Sequence, residues 1–209
     1  MLVVMDVDST LIEDEVIELL AREAGSGAEV AEITRLAMSG ELDFEASLAR
    51  RVATLEGLDS ACFDRLRDSI TVTRGVPELI AAVHAAGGLV GVVSGGFHEI
   101  IDPICASLGL DLRLANRLEQ NRDGRLTGRV IGDVVDARAK QDALLRWAAE
   151  AQVPMSRTVA IGDGANDLLM LEAAGLAVAF DAKPRVREAA DVSLPGRDLT
   201  PVLHLLGLT

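Results

Sequence analysis

Short apolar runs alternate with helix-period segments through most of this chain, and that alternation predicts βα units around a parallel sheet. The candidate strands are residues 2–7, 89–94, 112–115, 158–162 and 177–180. Helical patterns fall near 77–86, 99–108, 137–151, 167–174 and 199–205. Pro77 suits a first helical turn, and Gly87, Gly109 and Gly175 suit helix ends. Asp123-Gly124, between Leu118 and Leu126, carries a hairpin signal that interrupts the rhythm.

One stretch departs from it. Residues 13–70 contain no strand-like run, only helical patterns near 15–24, 28–38, 44–55 and 61–69, separated by Gly25, Gly40 and Gly57, with Asp43 and Asp59 placed as N-caps. A helical block inserted after the first strand would sit over that strand's C-terminal end, where a lid belongs. The expected organisation is therefore an α/β core from 1–12 and 71–209 with a helical cap from 13–70.

Composition narrows the function classes. Of the 209 residues, 49% are hydrophobic but only 2% aromatic, so the core must be aliphatic and surfaces for stacking nucleic-acid bases are nearly absent. Twenty basic against 33 acidic residues give a net charge of -13, which opposes nucleic acid and anionic lipid as partners. That charge also conflicts with phosphate handling, unless a bound divalent cation and a few placed basic groups reverse the field locally. Cys62 and Cys105 are too few for a disulfide framework and read as reduced, buried residues of a cytosolic protein. Neither has an arginine six positions later, so the C-x5-R loop of thiolate phosphatases is missing. The first apolar run has no basic segment before it and stops at Asp6, unlike a secretory leader. Residues 79–97 lack acids, lysine and arginine, but Gly87-Gly88 cuts them into a helix-length piece and a short strand, so no membrane span is expected.

The candidate chemistry lies at strand ends. Asp6 and Asp8 stand where the first apolar run turns polar; they either close a strand and open a helix, or bring two carboxylates to one point with a metal between them. Ser94-Gly95-Gly96 follows another strand and is either an ordinary strand-to-helix turn or a place for backbone amides to approach an anion. Gly162-Asp163-Gly164-Ala165-Asn166-Asp167 supplies two acids and an amide at a tight turn, without the glycine pattern or lysine of a P-loop. Lys140 lies in a helical stretch, where a solvated charge is the usual outcome, although a cation near three acids would help hold a phosphoryl group.

Taken together, these segments resemble the haloacid dehalogenase superfamily of phosphotransferases. Asp6-Val7-Asp8-Ser9-Thr10-Leu11 matches its first motif, Ser94-Gly95-Gly96 its second, Lys140 its third and Gly162–Asp167 its fourth, in order and spacing. The closer likeness is to its phosphoserine phosphatase family, through Glu15, Ala37-Met38-Ser39-Gly40 to Arg51-Val52, Val93–Phe97, Ala115-Asn116-Arg117-Leu118 and Ala182-Lys183-Pro184. The resemblance implies a Rossmann-like parallel sheet with helices on both faces and a helical cap inserted after the first strand. It implies hydrolysis of a small molecule, O-phospho-L-serine, through an aspartyl phosphate on Asp6, with Asp8 as general acid and then base. Mg²⁺ would be held by the side chains of Asp6 and Asp163 and the backbone carbonyl of Asp8. Ser94, the Gly95 amide, Lys140 and Asn166 would contact the phosphate, and Asp167 would steady the metal shell or Lys140. Glu15 would take the substrate's amine and Arg51 its carboxylate, with Met38 and Phe44 as apolar wall. Competing expectations are another amino-acid phosphatase, a phosphotransferase passing phosphate to homoserine, a receiver-type signalling domain and a catalytically dead binding protein.

Overall fold

The computed structural model describes residues 1–38 and 41–208, without the side chain of Met38. Among these residues seven strands form one sheet in the order β4-β3-β2-β1-β5-β6-β7. They are β1 (Leu2–Met5), β2 (Leu89–Phe97), β3 (Leu112–Gln120), β4 (Leu126–Ile131), β5 (Thr158–Gly162), β6 (Leu176–Phe180) and β7 (Val192–Leu194). All neighbouring pairs are parallel except β3 with β4, an antiparallel hairpin at the edge. The expected parallel sheet is therefore a mixed one, and the Asp123-Gly124 turn is what makes it so.

Period-two alternation explains the layers. Val3 and Met5 join one apolar cluster with Val90, Val92 and Ile161, while Leu2 and Val4 join another with Val93 and Ala160. Helices α5 (Val76–Ala85), α6 (His98–Leu108) and α10 (Thr200–Leu205) contribute to the first cluster. Helices α7 (Ala137–Glu150), α8 (Leu168–Ala173) and α9 (Pro184–Ala189) contribute to the second. With both faces covered, β1 is wholly buried and can consist of Leu-Val-Val-Met without a polar side.

After β1 the chain runs into α1 (Val16–Ala24), α2 (Gly27–Met38), α3 (Phe44–Ala53) and α4 (Cys62–Arg67) before rejoining the core at α5. The outgoing and returning connections lie side by side: Glu13 N donates to Thr71 O at 2.9 Å, Thr73 N to Leu11 O at 2.9 Å, and Thr71 N to the Asp14 carboxylate at 2.8 Å. Asp43 caps α3 by accepting from Ala46 N at 2.7 Å. Asp59 differs from expectation, since it accepts from Ala61 N and shapes the turn before α4 rather than capping the helix. Gly40 lies outside the described residues. The far end of the β3–β4 hairpin grips this helical block through Gly57 N to Leu126 O (2.8 Å), Leu126 N to Leu58 O (2.9 Å) and Ser60 N to Gly124 O (2.9 Å).

Among the described residues α9 and β7 were not expected, and β4 was signalled only by the turn before it. Both α9 and β7 are too short to show a period, with Val186 the buried residue of α9. Residues 79–97 divide into α5 and β2, and no helix among the described residues is long and apolar enough to cross a membrane. Cys62 and Cys105 are buried and free, and burial pushes the Cys105 thiol up to about 12.

Candidate active site

Chain order reverses across β1: β2 lies on one side of it and β5 on the other. That switch point opens a crevice beyond the strands' C-terminal ends. Asp6, the first residue after β1, is fastened by its backbone N to Ile161 O at 3.0 Å. Beyond it a tight turn over Val7–Leu11, with Ser9 at φ 57°, closes through Ile12 N to Val7 O and brings Asp8 to the same crevice. Serine in the left-handed region is strained, and its hydroxyl donates to Glu15 Oε1 at 2.7 Å, holding that acid in place.

Lys140 comes from α7 and is fully buried. Its Nζ lies 2.7 Å from Asp6 Oδ1 and 2.7 Å from Asp167 Oδ1. A cation between two carboxylates keeps its proton: the attraction of Asp167 and Asp6 outweighs the burial that would otherwise lower Lys140. Asp6 is itself raised well above the ordinary 3.8, by burial and by Asp167, with Lys140 opposing both. Burial, then Asp167 and Glu15, raise Asp163 to about 6. Asp8 is pushed up to about 7 by burial and by Glu15, although it accepts from Val16 N at 2.7 Å and from Ser94 Oγ at 3.2 Å.

Carboxyl oxygens of Asp6, Asp163 and Asp167 lie within 4.8 Å of one another. Asp167 has both oxygens engaged, one by Lys140 and one by Gly164 N at 3.0 Å. Asp6 Oδ1 accepts from Val7 N and Lys140, and Asp163 receives a 3.4 Å contact from Thr10 Oγ1, so Asp6 and Asp163 are the acids with oxygens to offer a cation. Crowded hard oxygen donors on buried Asp6 and half-buried Asp163, both raised first by burial, fit a divalent metal ion.

Ser94-Gly95-Gly96 is a bulged stretch within β2, marked by a register shift against β3 between Val93 and Phe97, rather than a strand-to-helix turn. Ser94 is buried, accepts from Gly96 N at 2.7 Å and donates to Asp8. A Cβ on Gly96 would come within 2.9 Å of Asp8 Oδ2, so the close approach requires glycine there.

Above these groups lies a cavity of about 550 Å³, lined on the core side by Asp6, Asp8, Gly95, Asp163 and Asn166 and on the helical side by Glu15, Phe44 and Arg51. Ser94 and Lys140 are fully buried and do not line it, but bond to the lining acids Asp8 and Asp6. Met38 ends α2, and its side chain lies outside the described residues. Burial lowers Arg51 while Glu15, Asp8 and Glu18 pull it back up, so the guanidinium sits in an acidic surround. Lining residues not singled out from the sequence include Thr34, Leu42, Ser47, Lys183 and Arg185. Lys183 fell within a segment noted only for resemblance, and nothing in the pattern around Arg185 sets it apart from a solvated charge.

A family model for haloacid dehalogenase-like hydrolases matches residues 3–172, and the chain belongs to that family. Among characterised relatives it is 58% identical over its full length to a phosphoserine phosphatase of Streptomyces coelicolor and spans about half (50%) of that longer protein. It is 50% identical to the phosphoserine phosphatase of Lactococcus lactis, covering 98% of this chain and 94% of the relative. A solved phospho-aspartyl intermediate analogue of a phosphoserine phosphatase superposes with a TM-score of 0.91 at 44% identity, over 98% of this chain and 97% of that one. A substrate-bound phosphoserine phosphatase gives 0.91 at 43% identity, with the same coverage.

Proposed function

We propose that this protein is a cytosolic phosphoserine phosphatase that hydrolyses O-phospho-L-serine to L-serine and phosphate through a phosphorylated Asp6. The observation that carries the proposal is one cavity with Asp6 on its core side, backed by buried Lys140 and Asp167, and with Glu15 and Arg51 on its helical side. An ester bearing phosphate, ammonium and carboxylate needs such an arrangement of fixed charges: cation near phosphate, acid for the amine and a forked cation for the carboxylate. Residues 13–70 act as the cap over the core formed by 1–12 and 71–209, with Met38 and Phe44 completing the apolar wall.

Repulsion between a carboxylate and one phosphate charge is about 4 kcal/mol at 4 Å and an effective dielectric of 20. Mg²⁺ held by Asp6, Asp163 and the Asp8 carbonyl would supply the cancelling charge when bound. Lys140 stays protonated and steadies the Asp6 carboxylate, the Gly95 amide and Asn166 orient the phosphoryl oxygens, and Ser94 holds Asp8 from behind the cavity wall. An Asp6 oxygen attacks phosphorus as the ester P–O bond breaks, and Asp8 gives its proton to the departing serine alkoxide. Asp8 then takes a proton from water, whose oxygen attacks phosphorus and releases Asp6. Its value of about 7 suits both transfers.

The test is phosphate release from L-phosphoserine and a panel of phosphate esters, with and without Mg²⁺, and with acceptor alcohols including homoserine. Selective, Mg²⁺-dependent release from phosphoserine into water is expected. Preference for another ester, or transfer to an alcohol in place of water, overturns the assignment.

A further inference from the structure

Asn116 is buried, 2% exposed, in a part of the sheet where a polar residue needs a reason. It stands where β3 stops pairing with β2, at Phe97↔Asn116, and starts pairing with β4, at Arg117↔Ile131. Its Nδ2 donates to Gly95 O at 2.8 Å and its Oδ1 accepts from Val135 N at 2.9 Å. The partners fix the amide's orientation, because a carbonyl can only accept and a backbone N–H can only donate. One side chain therefore joins the Ser94–Gly96 bulge to the segment that leads into α7 and Lys140.

The consequence follows from peptide planarity. The Gly95 carbonyl and the Gly96 N–H belong to one rigid plane, so anchoring the oxygen sets the direction of the hydrogen. That hydrogen bonds Ser94 Oγ at 2.7 Å, and Ser94 Oγ in turn donates to Asp8 Oδ2 at 3.2 Å. Glycines supply no side chains to hold this plane, and Gly95 and Gly96 both line the cavity. Next to Asn116, Ala115 N donates to His98 Nε2 at 3.2 Å, which holds the same turn of β3 to the start of α6.

We infer that Asn116 is a positioning residue for the phosphate end of the site: it sets the Gly95–Gly96 peptide plane and, through Ser94, the aim of Asp8. The inference rests on the roles given above to Asp8 and the Ser94–Gly96 bulge. Asparagine is required because both a donor and an acceptor are used.

The test is Asn116→Asp, which keeps shape and the acceptor for Val135 but turns a carboxylate oxygen toward the Gly95 carbonyl. Expected is a fall in kcat/KM of about 10- to 100-fold, the same for phosphoserine and p-nitrophenyl phosphate. The inhibition constant of inorganic phosphate should rise by about tenfold or more, while that of L-serine, held by Glu15 and Arg51, stays put. Merely structural damage lowers the amount of active enzyme and moves neither constant. Equal shifts for phosphate and serine, or no shift in either, overturn the inference. If Asn116→Asp does not fold, Asn116→Ser, too short to span both partners, carries the same expectation. Wild-type protein that cleaves p-nitrophenyl phosphate but not phosphoserine would overturn the proposed substrate and leave the phosphate arm of this test readable.

Discussion

Replacing Asp8 by asparagine should stabilise the metal-free protein while nearly stopping turnover, and the stabilisation should depend on pH. Asp8 is raised from 3.8 to about 7, first by burial and next by Glu15, with Val16 N, Lys140 and Ser94 opposing. Between those two values the folded state binds a proton that the unfolded chain has released, so stability falls as pH rises through that window. At 1.36 kcal/mol per pH unit, the ionised carboxylate costs the folded state about 4 kcal/mol once the pH exceeds about 7. Asparagine carries no such cost and fits the site: its Oδ1 can accept from Val16 N, and its amide can donate to Ser94 Oγ. Exchanging charge-assisted bonds for neutral ones loses about 1 kcal/mol, which leaves a net gain of about 2–3 kcal/mol at about pH 8 and none near pH 4. Urea unfolding of both proteins in EDTA at the two pH values measures it. Turnover should drop by about 10²- to 10⁴-fold, the usual worth of a positioned acid–base group. A variant no more stable than wild type at about pH 8, or equally stabilised at both pH values, refutes the electrostatic account of Asp8.

Asp6→Asn should abolish turnover and any acid-stable, hydroxylamine-labile phosphoryl label; a label that persists excludes Asp6 as nucleophile. Arg51→Ala should lose phosphoserine hydrolysis at least tenfold more than p-nitrophenyl phosphate hydrolysis, about the worth of one charged hydrogen bond, and equal losses count against a carboxylate-binding role. Lys140→Met leaves Asp6 and Asp167 facing each other in a buried site and should destabilise the protein by about 3–5 kcal/mol at neutral pH, read as a lower denaturation midpoint. An unchanged midpoint would mean that the two carboxylates do not depend on the lysine.

Much of the fold was legible because most buried strands are short apolar runs and the longer helices show their period, and the helical block stands out by having no such run. The sheet's edge was less legible, since β3 continues past Ala115 through the polar residues Asn116, Arg117 and Glu119, and only the Asp123-Gly124 turn hinted at a partner strand. At the site, residues that share a short segment could be seen: Asp6 with Asp8, Ser94 with its glycines, Asp163 with Asp167. What local pattern could not supply is the pairing between segments, which only the family resemblance suggested. Lys140 on α7 looks like any solvated helix lysine until the fold sets it 2.7 Å from two buried acids. Asn116 looks like a break in a strand until its amide is seen between Gly95 and Val135. Lys183 carries no role beyond its place in a segment of family likeness and Arg185 stands out in no pattern, yet both line the cavity and place cations there in a chain of net charge -13. In each case the information lies in partners tens of residues away, so no local pattern could have encoded it. The same long-range contacts turn separate acidic and glycine-rich segments into one site, which is why substitutions at Asn116 or Lys140, far from the first motif in sequence, should be felt at Asp8 and Asp6.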